Sequence, residues 1–321
     1  MKHFAKLSLS SVVLLAMLAP TVASGSDGVA IPGTDYLRKA DVLYARKHGV
    51  ALTMDVIVPP KPNGAAVVWV VSSGFFSHHR WMEGPTFAEN MSVLLDRGYT
   101  VFAVVHGSAP KFTVPEYCDD LRRAIRFIRH HAKSYGVDPN RIGISGASAG
   151  GHLSLMMGAA SDEGNPKAPD PVDSQSSRVQ AVGCFFPGSD LVNYEKEGVS
   201  VLAMVAKLGL ASPYAFQDFD EKARVYIPIT DKQRINDLLR EYSPITHVTA
   251  DDAPMLIIHG DSDELSPLKQ ASGMIDKLTA AGVKAKLVVA KGKGHAWKGM
   301  WHDDMKHIAD WFDTHLAAEK Q

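Results

Sequence analysis

The chain has 321 residues, 45% of them hydrophobic and 21% charged, with a formal net charge of -1 at pH 7. This is globular composition with material for a large core, and the length suits one large α/β domain or two small ones. The near-neutral balance leaves no global basic field to recruit nucleic acid, and two cysteines are too few for a disulfide framework in a chain of this size.

The N-terminus reads as a secretory signal over residues 1–24. Lys2 and Lys6 supply a positive start, 7–18 is an apolar stretch too short to span a bilayer stably, and Val22-Ala23-Ser24 offers small residues for cleavage. No cysteine follows that could carry a lipid. The mature domain is expected at 25–321, exported to a periplasmic or secreted location, with no membrane attachment after cleavage. An uncleaved anchor is the alternative.

The next elements alternate. Segments 42–48 and 51–58 flank Gly49 and predict an opening hairpin. A turn, 59–64, leads into the continuous apolar run 65–71, the mark of a strand buried on both faces. A helix is predicted over 85–96, ended by Gly98, then a buried strand over 100–105. Residues 116–134 predict a helix with apolar positions at Leu121, Ala124, Ile125 and Ile128. Its basic residues Arg122, Arg123, Arg126 and Arg129, with His130 and His131, read as a solvated face. Cys118 falls at the start of this helix, and Cys184 falls in the apolar strand 179–186; both are expected as free thiols.

A strand over 141–145 runs directly into Gly146-Ala147-Ser148-Ala149-Gly150-Gly151, and a helical pattern follows over 148–160. Gly-x-Ser-x-Gly alone is a weak signal. Between a buried strand and a helix it is the context of a nucleophile elbow, where the chain turns sharply and presents the serine hydroxyl. After the strand 179–186, the stretch 190–242 shows no clear strand and two helical patterns, 199–208 and 231–240. A seventh strand, 255–259, a helix, 268–280, an eighth strand, 285–289, and a closing helix, 302–316, complete the chain. The layout predicts the α/β-hydrolase fold: a mostly parallel eight-stranded sheet with helices on both faces. The stretch 190–242 is a lid inserted over the carboxyl ends of the strands, where open α/β sheets place their sites.

A serine hydroxyl needs a base. In this fold the partners follow in the order Ser, Asp or Glu, His. The loop after the seventh strand carries Asp261, Asp263 and Glu264, and the loop after the eighth carries His295. Both loops leave the same edge of the sheet as Ser148. We read Ser148, His295 and Asp263 as a catalytic triad, with Asp261 capping the turn instead. Ala149 and the loop Ser72-Ser73-Gly74-Phe75-Phe76 would supply the oxyanion-hole N–H groups, with Ser73 and Gly74 as donors and Phe75 a flanking possibility.

Residues 119–129, the run 135–142, Ser148-Ala149-Gly150-Gly151-His152-Leu153, Ser243-Pro244-Ile245-Thr246 and 259–263 together resemble the acetyl esterase/lipase group of α/β-hydrolases. That group includes hormone-sensitive-lipase-like, feruloyl and acetyl-xylan esterases. The resemblance spans about 40–318. It departs at two motifs. Val71-Ser72-Ser73-Gly74 stands where the group carries His-Gly-Gly-Gly, and His106-Gly107-Ser108-Ala109-Pro110 stands where it carries Tyr-Arg-Leu-Ala-Pro, so a distinct branch is implied. His78 and His79 follow the oxyanion loop without a spaced carboxylate or third histidine, so no metal is expected. His152 reads as packing or a supporting hydrogen bond, and Trp297 as a pocket wall or an anchor. Val199, Leu202, Met204 and Val205 either shape an acyl pocket or pack a lid helix.

The expectation is an exported, cofactor-free serine carboxylic ester hydrolase acting on short-acyl esters of a small molecule or a carbohydrate, acetylated or feruloylated. A prolyl-oligopeptidase-like peptidase and a non-catalytic binding protein on the same fold are the alternatives.

Overall fold

The computed structural model describes residues 28–83 and 85–318. The expected signal segment lies outside them. The chain opens with a two-residue strand, β1 (Val29–Ala30), and the long hairpin β2 (Leu37–Lys47) and β3 (Val50–Val58). Then come β4 (Ala66–Val70), α1 (Pro85–Leu95), β5 (Thr100–Val104), α2 (Val114–His130), β6 (Ile142–Ala147), α3 (Ala149–Ala159) and β7 (Ala181–Phe185). The inserted stretch holds α4 (Val201–Leu208), β8 (Gln217–Asp220), β9 (Val225–Pro228) and α5 (Lys232–Glu241). The chain closes with β10 (Met255–Gly260), α6 (Lys269–Ala280), β11 (Ala285–Ala290) and α7 (Met305–His315).

Among the described residues the main sheet has nine strands in the order β1-β2-β3-β5-β4-β6-β7-β10-β11. From β5 to β11 every pairing is parallel; the opening hairpin, β1 and the β3–β5 pairing are antiparallel. This is the α/β-hydrolase architecture. Two expectations are corrected. The sheet has nine strands rather than eight, because β1, between Gly28 and Pro32, is too short to display alternation. The lid is not strand-free: β8 and β9 form a separate antiparallel ribbon. Pro228 and the charged turn 221–224 hid it, since proline weighs against a strand.

Period-two alternation divides the core. From β4, Ala66, Val68 and Val70 join one apolar cluster with α2, α3 and α6. Val67, Trp69 and Val71 join another with α1 and α7. Burial on both faces explains why the parallel strands read as continuous apolar runs. Helix α2 starts two residues before its predicted start. Thr113 caps it through a capping box with Glu116, and Pro115 sits in the first turn, where a missing N–H costs nothing.

The basic residues of α2 are not a solvated face. Arg123 pairs with Asp170 and Asp173, Arg126 with Asp162, and Arg129 donates to the carbonyls of Ser176 and Arg178. They clamp the loop that leads to β7. Sequence periodicity shows a charged stripe but not the carboxylates 36 to 50 residues away that cover it. Cys118 and Cys184 are both buried and free, and burial pushes the Cys118 thiol up to about 12.

Candidate active site

Chain order reverses direction at β4, whose neighbours are β5 on one side and β6 on the other. Loops after β4 and β6 therefore part, and the crevice between them is where open α/β sheets bind ligands. Ser148 stands at the end of β6 with φ 56° and ψ -116°, a conformation that L-residues resist. The turn is held because its neighbours have no side chain. A Cβ on Gly146 would come within 2.6 Å of Gly150 backbone, one on Gly150 within 2.9 Å of the Val70 carbonyl, and one on Gly151 within 2.7 Å of the Phe185 carbonyl.

Three loops bring the predicted residues together. The His295 Nε2 lies 2.8 Å from Ser148 Oγ, and its Nδ1 lies 2.8 Å from Asp263 Oδ2. The Asp263 carboxylate is fully buried, and its other oxygen accepts the Leu265 and Ser266 N–H groups at 2.9 and 2.8 Å. Burial acts to raise its carboxyl, but hydrogen bonds from His259, His295 and the Ser266 N–H outweigh it and hold the group well below the usual carboxylate range. It stays ionised. Asp261 takes a different place: its Oδ1 accepts the Gly292 N–H at 2.6 Å, tying the two loops to each other. Phe186 packs against the His295 ring at 4.5 Å between centroids. Trp297 is an anchor rather than a pocket wall, since its indole N–H donates to Asp304 at 2.7 Å and it lies outside the pocket lining.

The expected oxyanion donors divide. Ala149 is the first residue of α3, so its N–H has no helical partner. Gly74 and Phe75, both at positive φ, line the pocket, and their N–H groups have no acceptor among the described residues. Ser73 is corrected: its N–H donates to the Phe76 carbonyl at 2.9 Å in a small bridge, so it cannot serve an oxyanion. The bridge closes the loop and turns the next two N–H groups outward, a geometry that residue type does not reveal. Ser77 secures the loop from behind through bonds to the Val71 carbonyl and from the His106 N–H.

Beside Ser148 lies a small apolar cavity, with about 80 Å³ of room for the centre of a water molecule. Phe75, Phe186 and Tyr214 supply aromatic walls, and Met204, Val205, Leu208 and Leu210 of the lid close it. The lid residues divide as well: Leu202, Met204 and Val205 all pack on the core, but only Met204 and Val205 also line the cavity. His152 is buried, with Nδ1 3.0 Å from the Gly188 carbonyl, and burial pushes its pKa down to about 4. Its ring edge meets Phe75.

One residue escaped the sequence reading. His259, fully buried at the end of β10, places Nε2 2.7 Å from the Ser266 carbonyl and 3.3 Å from Asp263 Oδ2. Its signal was its position four residues before Asp263. His78 caps a short turn, and His79 meets Thr53 at 3.0 Å. The fold brings Asp41 and Asp55 beside His79, the carboxylates its sequence neighbourhood lacks. Arg38 already occupies Asp55, and none of the three lines the cavity.

The fold and the Ser–His–Asp arrangement together define an α/β-hydrolase with an elbow-borne serine. The BD-FAE family model matches residues 54–278, most of the chain, and the protein belongs to that family. The probable carboxylic ester hydrolase LipM of Mycobacterium tuberculosis is 27% identical over 250 residues, covering 76% of this chain and 52% of that protein. The chain spans about half the length of the curated relatives it matches. Among solved structures, the truncated form of a carbohydrate esterase from gut microbiota aligns over 91% of this chain and all of that one, with 25% identity and a TM-score of 0.71. Esterase 2 of Thermogutta terrifontis with butyrate bound aligns over 90% of this chain and 97% of that one, with 23% identity and a TM-score of 0.64, a likeness of fold.

Proposed function

We propose that the protein is a serine carboxylic ester hydrolase acting on short-acyl esters, exported from the cell. The observation that carries this is the continuous chain from Ser148 Oγ through His295 to the ionised Asp263, opening on a small apolar cavity beside unpartnered N–H groups. Ser148 Oγ attacks the ester carbonyl carbon while His295 Nε2 takes its proton. Asp263 holds the ring in the tautomer with Nδ1–H and stabilises the imidazolium. The tetrahedral oxyanion accepts hydrogen bonds from Ala149 and from Gly74 or Phe75. His295 returns the proton to the departing alcohol. Water, deprotonated by His295, then releases the acid and restores Ser148.

The small cavity supports a short acyl group. A small apolar pocket suits the acyl part, which stays attached to Ser148 after the alcohol has gone. The carbohydrate-esterase relative supports an acylated carbohydrate as the natural alcohol component. The basic, apolar and small-residue pattern of 1–24 supports export. N-terminal sequencing of the exported product should begin at or near Gly25, and a mature chain that retains Lys2 would refute that.

The test of the activity is hydrolysis of p-nitrophenyl acetate, butyrate and octanoate. The chain should favour acetate and butyrate, and Ser148→Ala should lose about 10⁴-fold or more in kcat. Failure to turn over any of the three esters would overturn the reading.

A further inference from the structure

We propose that the lid carries a second ligand site, a cavity that takes an uncharged sugar ring, next to the catalytic pocket. It has a volume of about 490 Å³, several times the room beside Ser148, and within the range of pockets that hold small molecules. Its walls mix aromatic rings with polar and charged side chains. Phe112 comes from the segment before α2, Phe216 from the residue before β8, Phe219 and Tyr226 from the lid ribbon, and Tyr242 from the end of α5. Phe219 and Tyr226 pack together at 5.1 Å between centroids, yet remain 42% and 41% exposed. Tyr226 is steadied by the His48 ring, 3.3 Å from its hydroxyl.

The polar groups identify the ligand class. Lys111 and Arg234 line the cavity, and so do Asp218, Glu116 and Glu241. Among the described residues, Lys111, Arg234, Asp218 and Glu241 have no ion-pair partner, whereas Glu116 is occupied by Thr113. Two cations interspersed with three carboxylates favour neither a net anion nor a net cation. They offer separate donors and acceptors around aromatic rings, of which Phe112 has the Lys47 ammonium 4.3 Å from its centroid and Tyr226 the Lys111 ammonium at 5.9 Å. A pyranose ring matches both features. Its C–H face packs on an aromatic face, and its hydroxyl edge both donates and accepts.

Tyr214 lines the catalytic pocket and Phe216 lines this cavity, with 6.5 Å between their centroids. One lid segment therefore separates the two. The inference rests on the ester-hydrolase reading only in assigning the sugar to the alcohol side of the substrate; the binding itself does not.

The test is titration calorimetry of full-length Ser148→Ala with cellotetraose, xylotetraose and mannotetraose. At least one should bind. Adding Tyr226→Ala, or separately Phe219→Ala, should weaken binding about tenfold or more. Met204→Trp, which fills the catalytic pocket, should change it by less than about twofold. Circular dichroism of each variant reports folding, and Arg234→Ala, on an exposed helix, should also weaken binding if the others misfold. The proposal is overturned by the absence of binding to all three sugars up to about 20 mM, or by binding that Met204→Trp abolishes and the ribbon variants leave intact. Turnover of p-nitrophenyl acetate by the wild type separates this outcome from failure of the esterase reading.

Discussion

Asp263 accepts three hydrogen bonds, from Leu265, Ser266 and His295, and has His259 Nε2 3.3 Å from its Oδ2, and each contact constrains a different part of the site. Replacing it with Asn removes the charge that stabilises the imidazolium and invites the wrong tautomer. Asp263→Asn should lower kcat about 10⁴-fold with little change in KM, measured on p-nitrophenyl butyrate. Two buried histidines contribute to the pH dependence of stability. Burial pushes both His106 and His152 down to about 4, against about 6.5 in the unfolded chain. The folded state therefore resists protonation that the unfolded state accepts. Their contribution is fully present above about pH 6.5 and is lost as pH drops toward 4, roughly 3 kcal/mol for each ring. Asp263 adds a second loss at lower pH: its carboxyl is depressed, so its contribution is present above about pH 4 and disappears as the pH falls through its folded value. Urea unfolding at pH 7.5 and pH 4.5 should show the histidine loss, and His152→Gln should reduce it. An equal drop in both proteins would contradict the assignment.

At the scale of elements, the elbow depends on space rather than on bonds. Gly150→Ala places a methyl against the Val70 carbonyl, which cannot move without breaking the sheet. It should cost about 3 kcal/mol or more of stability, or displace Ser148 and abolish activity, read by thermal unfolding and ester turnover. The lid helix α4 sets the pocket's reach. Met204→Ala should raise octanoate kcat/KM relative to acetate by about tenfold, because each methylene in a pocket is worth about 1–3 kcal/mol. An unchanged ratio would place the acyl chain elsewhere.

For the whole molecule, one apolar cluster, the one that α2, α3 and α6 build with the sheet, encloses both cysteines. Cys118 and Cys184 are both fully buried. A thiol reagent should label neither in the native protein and both in denaturant, so the labelling rate at intermediate urea reports global opening. One fast-reacting thiol without denaturant would contradict this packing. The Arg123 and Arg126 clamps act at the same scale, joining α2 to a loop whose other end enters the central sheet.

The sequence by itself determined the sheet, the elbow and the order of the site residues. Continuous apolar runs mark strands buried on both faces, and glycines at fixed spacing mark a turn that tolerates no side chain. These are local constraints, so they are written locally. The oxyanion donors, the pocket wall and the lid ribbon were decided only by the tertiary structure. Ser73 and Gly74 are neighbours of similar size, and what separates them is one hydrogen bond to Phe76. Met204 and Leu202 share a helix and an apolar character, and both pack on the core; only the docking of that helix makes Met204 line the cavity as well. The carboxylates that cover the basic stripe of α2 lie far along the chain, and a residue's own neighbourhood carries no record of which distant groups folding will bring against it.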